Sequence, residues 1–155
     1  MCMLIREVQR DDLDELVRLC EAHAAYEGAK VHFSQSEKQE LAKLLFSSKT
    51  INCLVVEEAS KLLGYATFCI QYATWSAAPY LYLDCLYLRE TIRGKGIGQR
   101  LMNQIATFME VNGIAKAQWQ TPANNAQAID FYKNIGANAL SKSRFFWEPE
   151  KGDVK

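Results

Sequence analysis

The stretch Arg93-Gly94-Lys95-Gly96-Ile97-Gly98 decides how the chain is read. Before it runs an apolar, β-rich segment, Tyr80–Leu88. After it, Ile97, Leu101, Ile105, Phe108 and Met109 recur at helical spacing, and Asn112-Gly113 supplies a stop. A strand, a glycine-rich turn and a helix therefore follow one another. A helix N-terminus carries unpaired N–H groups and the positive end of the backbone dipole. Glycines let that backbone approach an anion closely. Arg89, Arg93, Lys95 and Arg100 outnumber Glu90 here, although the whole chain balances 18 basic against 18 acidic residues. The turn reads as a pyrophosphate cradle, with a plain tight turn as the alternative. A dinucleotide fingerprint counted from Gly94 needs a third glycine where Gln99 stands, and the GxxxxGK[ST] phosphate loop is absent.

Working outward, Met3–Val8 predicts a first strand. Asp11 and Asp12 offer N-cap chemistry to a helix over 11–25, with Leu13, Leu16, Val17, Cys20 and Ala24 as its stripe. Ser34 and Glu37 have capping-box spacing ahead of a second helix bearing Leu41, Leu44 and Leu45. Ile51–Glu58 and Leu62–Ala73 read as a hairpin joined through Ala59-Ser60-Lys61. Beyond the central helix come a strand over Ala115–Thr121, a short helix over Ala126–Asn134 and a closing strand over Ala139–Trp147. The order β-α-α-β-β-β-α-β-α-β predicts a mixed α/β sheet.

At 155 residues the chain fits one domain, expected over residues 1–147 with a tail over 148–155. Zero net charge disfavours a nucleic-acid partner. The longest apolar strand is broken by Asp84 and is too short to cross a membrane as a helix. No apolar signal segment opens the chain, and a cytoplasmic setting is expected. Cys2, Cys20, Cys53, Cys69 and Cys85 form no CxxC pair or Cys/His ligand pattern, so no metal is expected. Cys20, Cys53, Cys69 and Cys85 read as small buried hydrophobes, and Cys85 is the best candidate for the alternative, a catalytic thiol. His23 and His32 stand apart from any triad or metal pattern and read as non-catalytic.

The pattern Arg-x-x-Gly-x-Gly, met by Arg93, Gly96 and Gly98, resembles the acetyl-CoA signature of GNAT N-acetyltransferases. A second motif lies downstream, from Asn125 through Phe131-Tyr132 to Gly136-Ala137. Over most of its length the chain is similar to the diamine branch of that family, the spermidine/spermine and thialysine type. Ala25-Tyr26-Glu27, Tyr72-Ala73-Thr74-Trp75 and Tyr82-Leu83-Asp84-Cys85-Leu86 carry that likeness. It implies a GNAT fold: a mixed, mostly antiparallel sheet with a splayed central strand pair and helices on both faces.

The resemblance also assigns roles. Asp84, in place of a glutamate, becomes a base acting through water, and Tyr132 the acid for the departing sulfur. Backbone N–H groups over Leu86, Tyr87 and Leu88 would meet the oxyanion and the cofactor arm. Arg93, Gly94, Lys95, Gly96, Ile97, Gly98, Asn125 and Tyr132 would hold acetyl-CoA. Glu27, Trp75 and Asp84 would receive a cationic amine. Each has a plainer reading: Asp84 at a β-bulge, Asn125 as a helix cap, Arg93 as a solvated turn residue, Tyr132 as packing, Glu27 as surface, Trp75 as core. Polyamine enzymes carry further acidic residues where Lys30, Val31 and Cys85 stand, so a small amine is expected rather than spermidine. A protein or peptide amine and a non-catalytic acetyl-CoA-binding module are the alternatives. The resemblance further implies a homodimer.

Overall fold

The computed structural model describes residues 2–150 and divides the chain into two compact units, Met1–Pro122 and Ala123–Lys155. The first holds β1 (Leu4–Glu7), α1 (Leu13–Tyr26), α2 (Gln35–Ala42), β2 (Asn52–Glu58), β3 (Lys61–Ala73), β4 (Ala78–Leu88), α3 (Ile97–Val111) and β5 (Ala117–Trp119). The second holds α4 (Ala126–Asn134).

The sheet runs β1-β2-β3-β4-β5, antiparallel throughout except for the parallel β4–β5 pair. This is the expected mixed sheet. Its strands bury side chains on both faces. On one face Leu54, Val56, Ala66, Phe68, Leu81 and Leu83 pack with Leu101 and Ile105 of α3. On the other, Cys53, Val55, Leu62 and Tyr65 pack with Leu16 and Leu19 of α1 and with Leu45.

Local signals in the sequence act as expected at several points. Ser34 Oγ accepts from the Glu37 N–H at 3.2 Å, and Glu37 Oε2 accepts from the Ser34 N–H at 2.7 Å, a complete capping box for α2. The helix then continues as a π turn over Lys43–Ser47. The β2–β3 hairpin needs only two turn residues, Ala59 and Ser60, both with φ above zero (49° and 61°), and Lys61 already belongs to β3.

Two expectations are corrected. Asp12 does not cap α1 with its side chain. A short 3-10 turn, Arg10–Asp12, precedes the helix, and Asp12 Oδ2 instead accepts from the Gln9 N–H at 2.7 Å. The closing strand over Ala139–Trp147 is absent: no ladder forms there among the described residues, and Phe145, Phe146 and Trp147 are exposed. Aromatic content gave that segment strand propensity, but a strand exists only where a neighbour completes its hydrogen bonds. Of the expected tail, residues 148–150 are exposed and irregular, and 151–155 lie outside the described residues.

Arg6 ties the sheet edge to the start of α1. Its guanidinium binds Asp12 through two bonds, Nη1 to Oδ2 at 2.7 Å and Nη2 to Oδ1 at 2.9 Å, and its Nε donates to Glu57 at 2.6 Å. The pair holds the Asp12 carboxyl below its ordinary range. A folded-state value below the unfolded one means stability is present above about pH 4 and is lost as pH falls. Arg6→Leu is expected to cost about 2 kcal/mol at neutral pH and much less in acid, measured by urea unfolding at both conditions.

Candidate active site

Strand β4 changes partner and phase at one residue. Up to Leu83 it pairs with β5, with Leu81↔Ala117, Tyr82↔Gln118 and Leu83↔Trp119. Among the described residues that ladder goes no further. On the other side, β3 pairs Thr67 with Cys85 but Phe68 with Leu83, so Asp84 is the extra residue of a β-bulge. The bulge resets the alternation. Leu81 and Leu83 face α3 before it, and Leu86 and Leu88 do so after it, while Cys85 and Tyr87 turn to the α1 face.

The backbone is re-phased as well. The Arg89 N–H donates to Leu63 O at 2.8 Å, which marks a hydrogen-bonded pair at the end of β3–β4. Antiparallel alternation then points the amides of Leu86 and Leu88 away from β3, toward the side that β5 has left. The Leu88 carbonyl agrees, since it accepts from Arg93 Nε at 2.8 Å instead of from β3. Backbone donors thus face the opening between β4 and β5, where the sequence expected an oxyanion and a cofactor arm.

The glycine turn follows directly. Gly94 and Gly96 have φ of 73° and 77°, the left-handed region that side chains avoid, and a Cβ at either would meet nothing within 4 Å. Gly96 is the N-cap of α3 and provides no side-chain cap. The first bond of the helix runs from Arg100 N–H to Gly96 O at 3.1 Å, so the amides of Ile97, Gly98 and Gln99 lie ahead of it. An open, glycine-lined surface of amides fits a pyrophosphate. Two of the four cations near the turn are engaged within the chain. Arg100 Nη2 donates to Met3 O at 3.0 Å, and the Arg93 guanidinium lies over the Tyr26 ring at 4.4 Å and the Tyr87 ring at 5.5 Å.

On the α1 face the strand meets His23, which the sequence had set aside. Its imidazole is 14% exposed and stacks on Tyr87, with ring centroids 5.1 Å apart and planes 19° apart. Nδ1 lies 2.8 Å from the hydroxyl of the buried Tyr65, and Nε2 lies 3.3 Å from Glu27 Oε1. Burial pushes the His23 pKa down, against the opposing pull of Glu27 and Asp84. Glu27 is the C-cap of α1, one turn beyond His23, and Gly28 with φ 81° leads the chain away. The i,i+4 spacing of His23 and Glu27 was the signal available in the sequence. It gained meaning only when β3 and β4 packed against that helix face.

The other expected residues separate. Asp84 is exposed at the bulge, beside the Cys85 thiol, Sγ to Oδ2 at 3.7 Å. Burial pushes Cys85 up to about 11, so it stays a protonated thiol and a poor nucleophile. Trp75 is fully exposed in the β3–β4 turn, which begins at Ala73 and ends at Ala78. That turn is roughly 20 Å along β4 from Asp84 at normal strand rise, so the structure does not bring Trp75 to the carboxylates. In the second unit, Asn125 caps α4 through Oδ1, which accepts from the Ala128 N–H at 3.2 Å, and Tyr132 sits beside Phe131 on that helix. Among the described residues, no group of three or more His, Cys, Asp or Glu is arranged to hold a metal. No helix among them is long and apolar enough to cross a membrane.

Comparison with known proteins agrees with this geometry. Residues 14–137 match the acetyltransferase (GNAT) family, and the chain belongs to that family. It is an acetyl-CoA-dependent N-acetyltransferase. The thialysine N-epsilon-acetyltransferase of Sus scrofa is 27% identical over 149 residues, covering 91% of this chain and 87% of that protein. A tyramine N-feruloyltransferase of Nicotiana tabacum is 29% identical over 97 residues, 63% of this chain and 43% of that protein. Among solved structures, an integron cassette protein of V. cholerae superposes with a TM-score of 0.74 at 26% identity, covering 97% of this chain and 94% of that one.

Gly64 guards the end of β4. A Cβ there would lie 2.6 Å from Leu88 Cδ2 and 2.9 Å from the Tyr87 carbonyl oxygen. Leu88 can turn aside, but the Tyr87 carbonyl is backbone on the β3 side of the strand, and moving it shifts the flanking Leu86 and Leu88 amides that face the opening. Gly64→Ala is expected to cost about 1–3 kcal/mol and to raise KM for acetyl-CoA more than KM for the amine. Steady-state kinetics alongside thermal unfolding check both.

Proposed function

We propose that this enzyme acetylates a primary amine of a small molecule, such as a short diamine or an amino-acid side chain. The observation that carries the reading is the Glu27 carboxylate, held 3.3 Å from the largely buried imidazole of His23 at the end of α1, with the Asp84 carboxylate exposed at the bulge of β4, the strand whose Tyr87 stacks on that imidazole. Two carboxylates suit a small cation. A longer polycation would call for more of them, and Lys30, Val31 and Cys85 occupy positions where polyamine enzymes carry acids. Thialysine and tyramine, named in two relatives, are both primary amines.

An alkyl amine with a pKa of about 10.4 is a free base in roughly one molecule in 10³ at neutral pH. Asp84 removes its proton through a bridging water, and its exposed position at the bulge leaves room for one. The amine then attacks the thioester carbonyl directly. The amides of Leu86 and Leu88 donate to the oxyanion that develops. Tyr132 returns a proton to the departing sulfur, a role that rests on the family resemblance, since a phenol is a protonated donor at neutral pH. The same resemblance supports a homodimer, and the five free cysteines suit a reducing compartment such as the cytoplasm.

Mass-spectrometric detection of acetylated product across diamines, lysine, thialysine, aminoglycosides and short peptides tests the substrate class. One favoured small amine is the expected outcome, and a preference for peptides would replace the reading. Tyr132→Phe and Asp84→Asn are each expected to lower kcat/KM by about 10²-fold while acetyl-CoA binding, measured by calorimetry, is kept. Unchanged turnover in either variant would remove that residue from the mechanism. A monomeric mass by light scattering would remove the dimer.

A further inference from the structure

His23 has no part in the proposed proton transfers, yet it is the most constrained polar side chain beside the two carboxylates. Its surroundings fix its state. An ionised carboxylate only accepts, so Nε2, 3.3 Å from Glu27 Oε1, carries the hydrogen. In the neutral ring Nδ1 is then an acceptor, and the Tyr65 hydroxyl at 2.8 Å donates to it. Tyr65 is 2% exposed, and burial pushes its pKa far up, so that hydroxyl keeps its proton. The ring cannot rotate freely because it is stacked on Tyr87 and set edge-on to Tyr65 at 5.8 Å.

We propose that His23 is a positioning residue for amine recognition: held as the neutral Nε2–H tautomer by Tyr65 and Tyr87, it aims the Glu27 carboxylate at the cationic acceptor. The inference rests on the amine-acetylation reading above. It identifies what a largely buried histidine does in the middle of a relay from Tyr65 through His23 to Glu27. The relay keeps the Glu27 carboxylate oriented. An imidazolium in its place would cancel that charge and repel an incoming ammonium.

The charged and titratable groups facing His23 are Glu27 from its own helix, Tyr65 from β3, Asp84 and Tyr87 from β4, and Arg93 from the turn. Glu27 and Asp84 favour a protonated ring, while burial and Arg93 oppose it, and the balance leaves the folded-state value below the ordinary one. The ring is therefore neutral at neutral pH and charges only as pH falls below about 6.5. KM for a cationic amine is expected to rise over that fall.

Two readouts test this. Long-range proton–nitrogen NMR of the wild-type protein near neutral pH is expected to show His23 protonated at Nε2 alone. An Nδ1–H tautomer or an imidazolium would overturn the relay, whether or not any amine is acetylated. In kinetics with the amine that the wild type acetylates best, His23→Leu is expected to raise KM for the amine about tenfold. Its kcat and its KM for acetyl-CoA should stay within about twofold. His23→Gln keeps an acceptor, Oε1, and a donor, the Nε2 amide, on one carbon, as the two ring nitrogens are. It should recover most of the amine KM and lose the acid-side rise. Equal losses in both variants, with KM for acetyl-CoA rising too, would make His23 a packing residue and overturn the proposal, as would no change in either. A wild type that acetylates no amine would instead sink the functional reading, and the tautomer would still decide the relay.

Discussion

The bulge at Asp84 sets the geometry on which the rest of the site depends. A strand inside a sheet spends its N–H and C=O groups on two neighbours, and a binding strand must keep some of them unspent. Here β4 is paired on both sides from Leu81 through Leu83 and, among the described residues, only on the β3 side after it. One extra residue at that point turns the amides of Leu86 and Leu88 toward the vacated side. It also keeps Leu86 and Leu88 on the α3 face and sends Tyr87 toward α1. The same residue carries the exposed carboxylate. Phase, opening and charge thus arise from a single insertion in the ladder.

Aromatic rings and one arginine hold this end of the strand in place. Arg93 leaves the glycine turn, bonds the Leu88 carbonyl and covers the rings of Tyr26 and Tyr87. Its guanidinium therefore links α1, β4 and the turn, where the sequence offered a phosphate ligand or a solvated turn residue. Backbone amides of the turn stand open beside it. That suits the left-handed glycines, because an amide reaches a ligand only where no side chain stands in front of it. Gly64 shows the same economy from the neighbouring strand, being small where the Tyr87 carbonyl comes close.

His23 links recognition to packing. A largely buried imidazole between a tyrosine and a carboxylate needs a partner for each nitrogen, and here Nδ1 has the Tyr65 hydroxyl and Nε2 faces Glu27. Its neutrality follows from burial, and its tautomer follows from the partner that can only accept. Neither property belongs to His23 alone. Both come from α1, β3 and β4 meeting at one place.

The sequence by itself determined the local elements and the family. Binary patterning, the Ser34–Glu37 capping box and the Arg93–Gly98 turn are short-range features, complete within a few residues of chain, and they were legible. So was Asp84 as an anomaly in an apolar strand, which the ladder places at a bulge. Pairing was not legible. The aromatic run ending in Trp147 looked like a strand, yet strand formation depends on a neighbour that local propensity does not supply. Trp75 looked like a site residue and stands at a hairpin tip, because the strand length on either side of a turn decides where its tip goes. His23 looked isolated because its partners lie 42 residues away at Tyr65 and further along at Tyr87. Tertiary structure decided the bulge, the parting of β4 from β5 and the relay to Glu27, since each is a relation between segments and takes effect only when they pack.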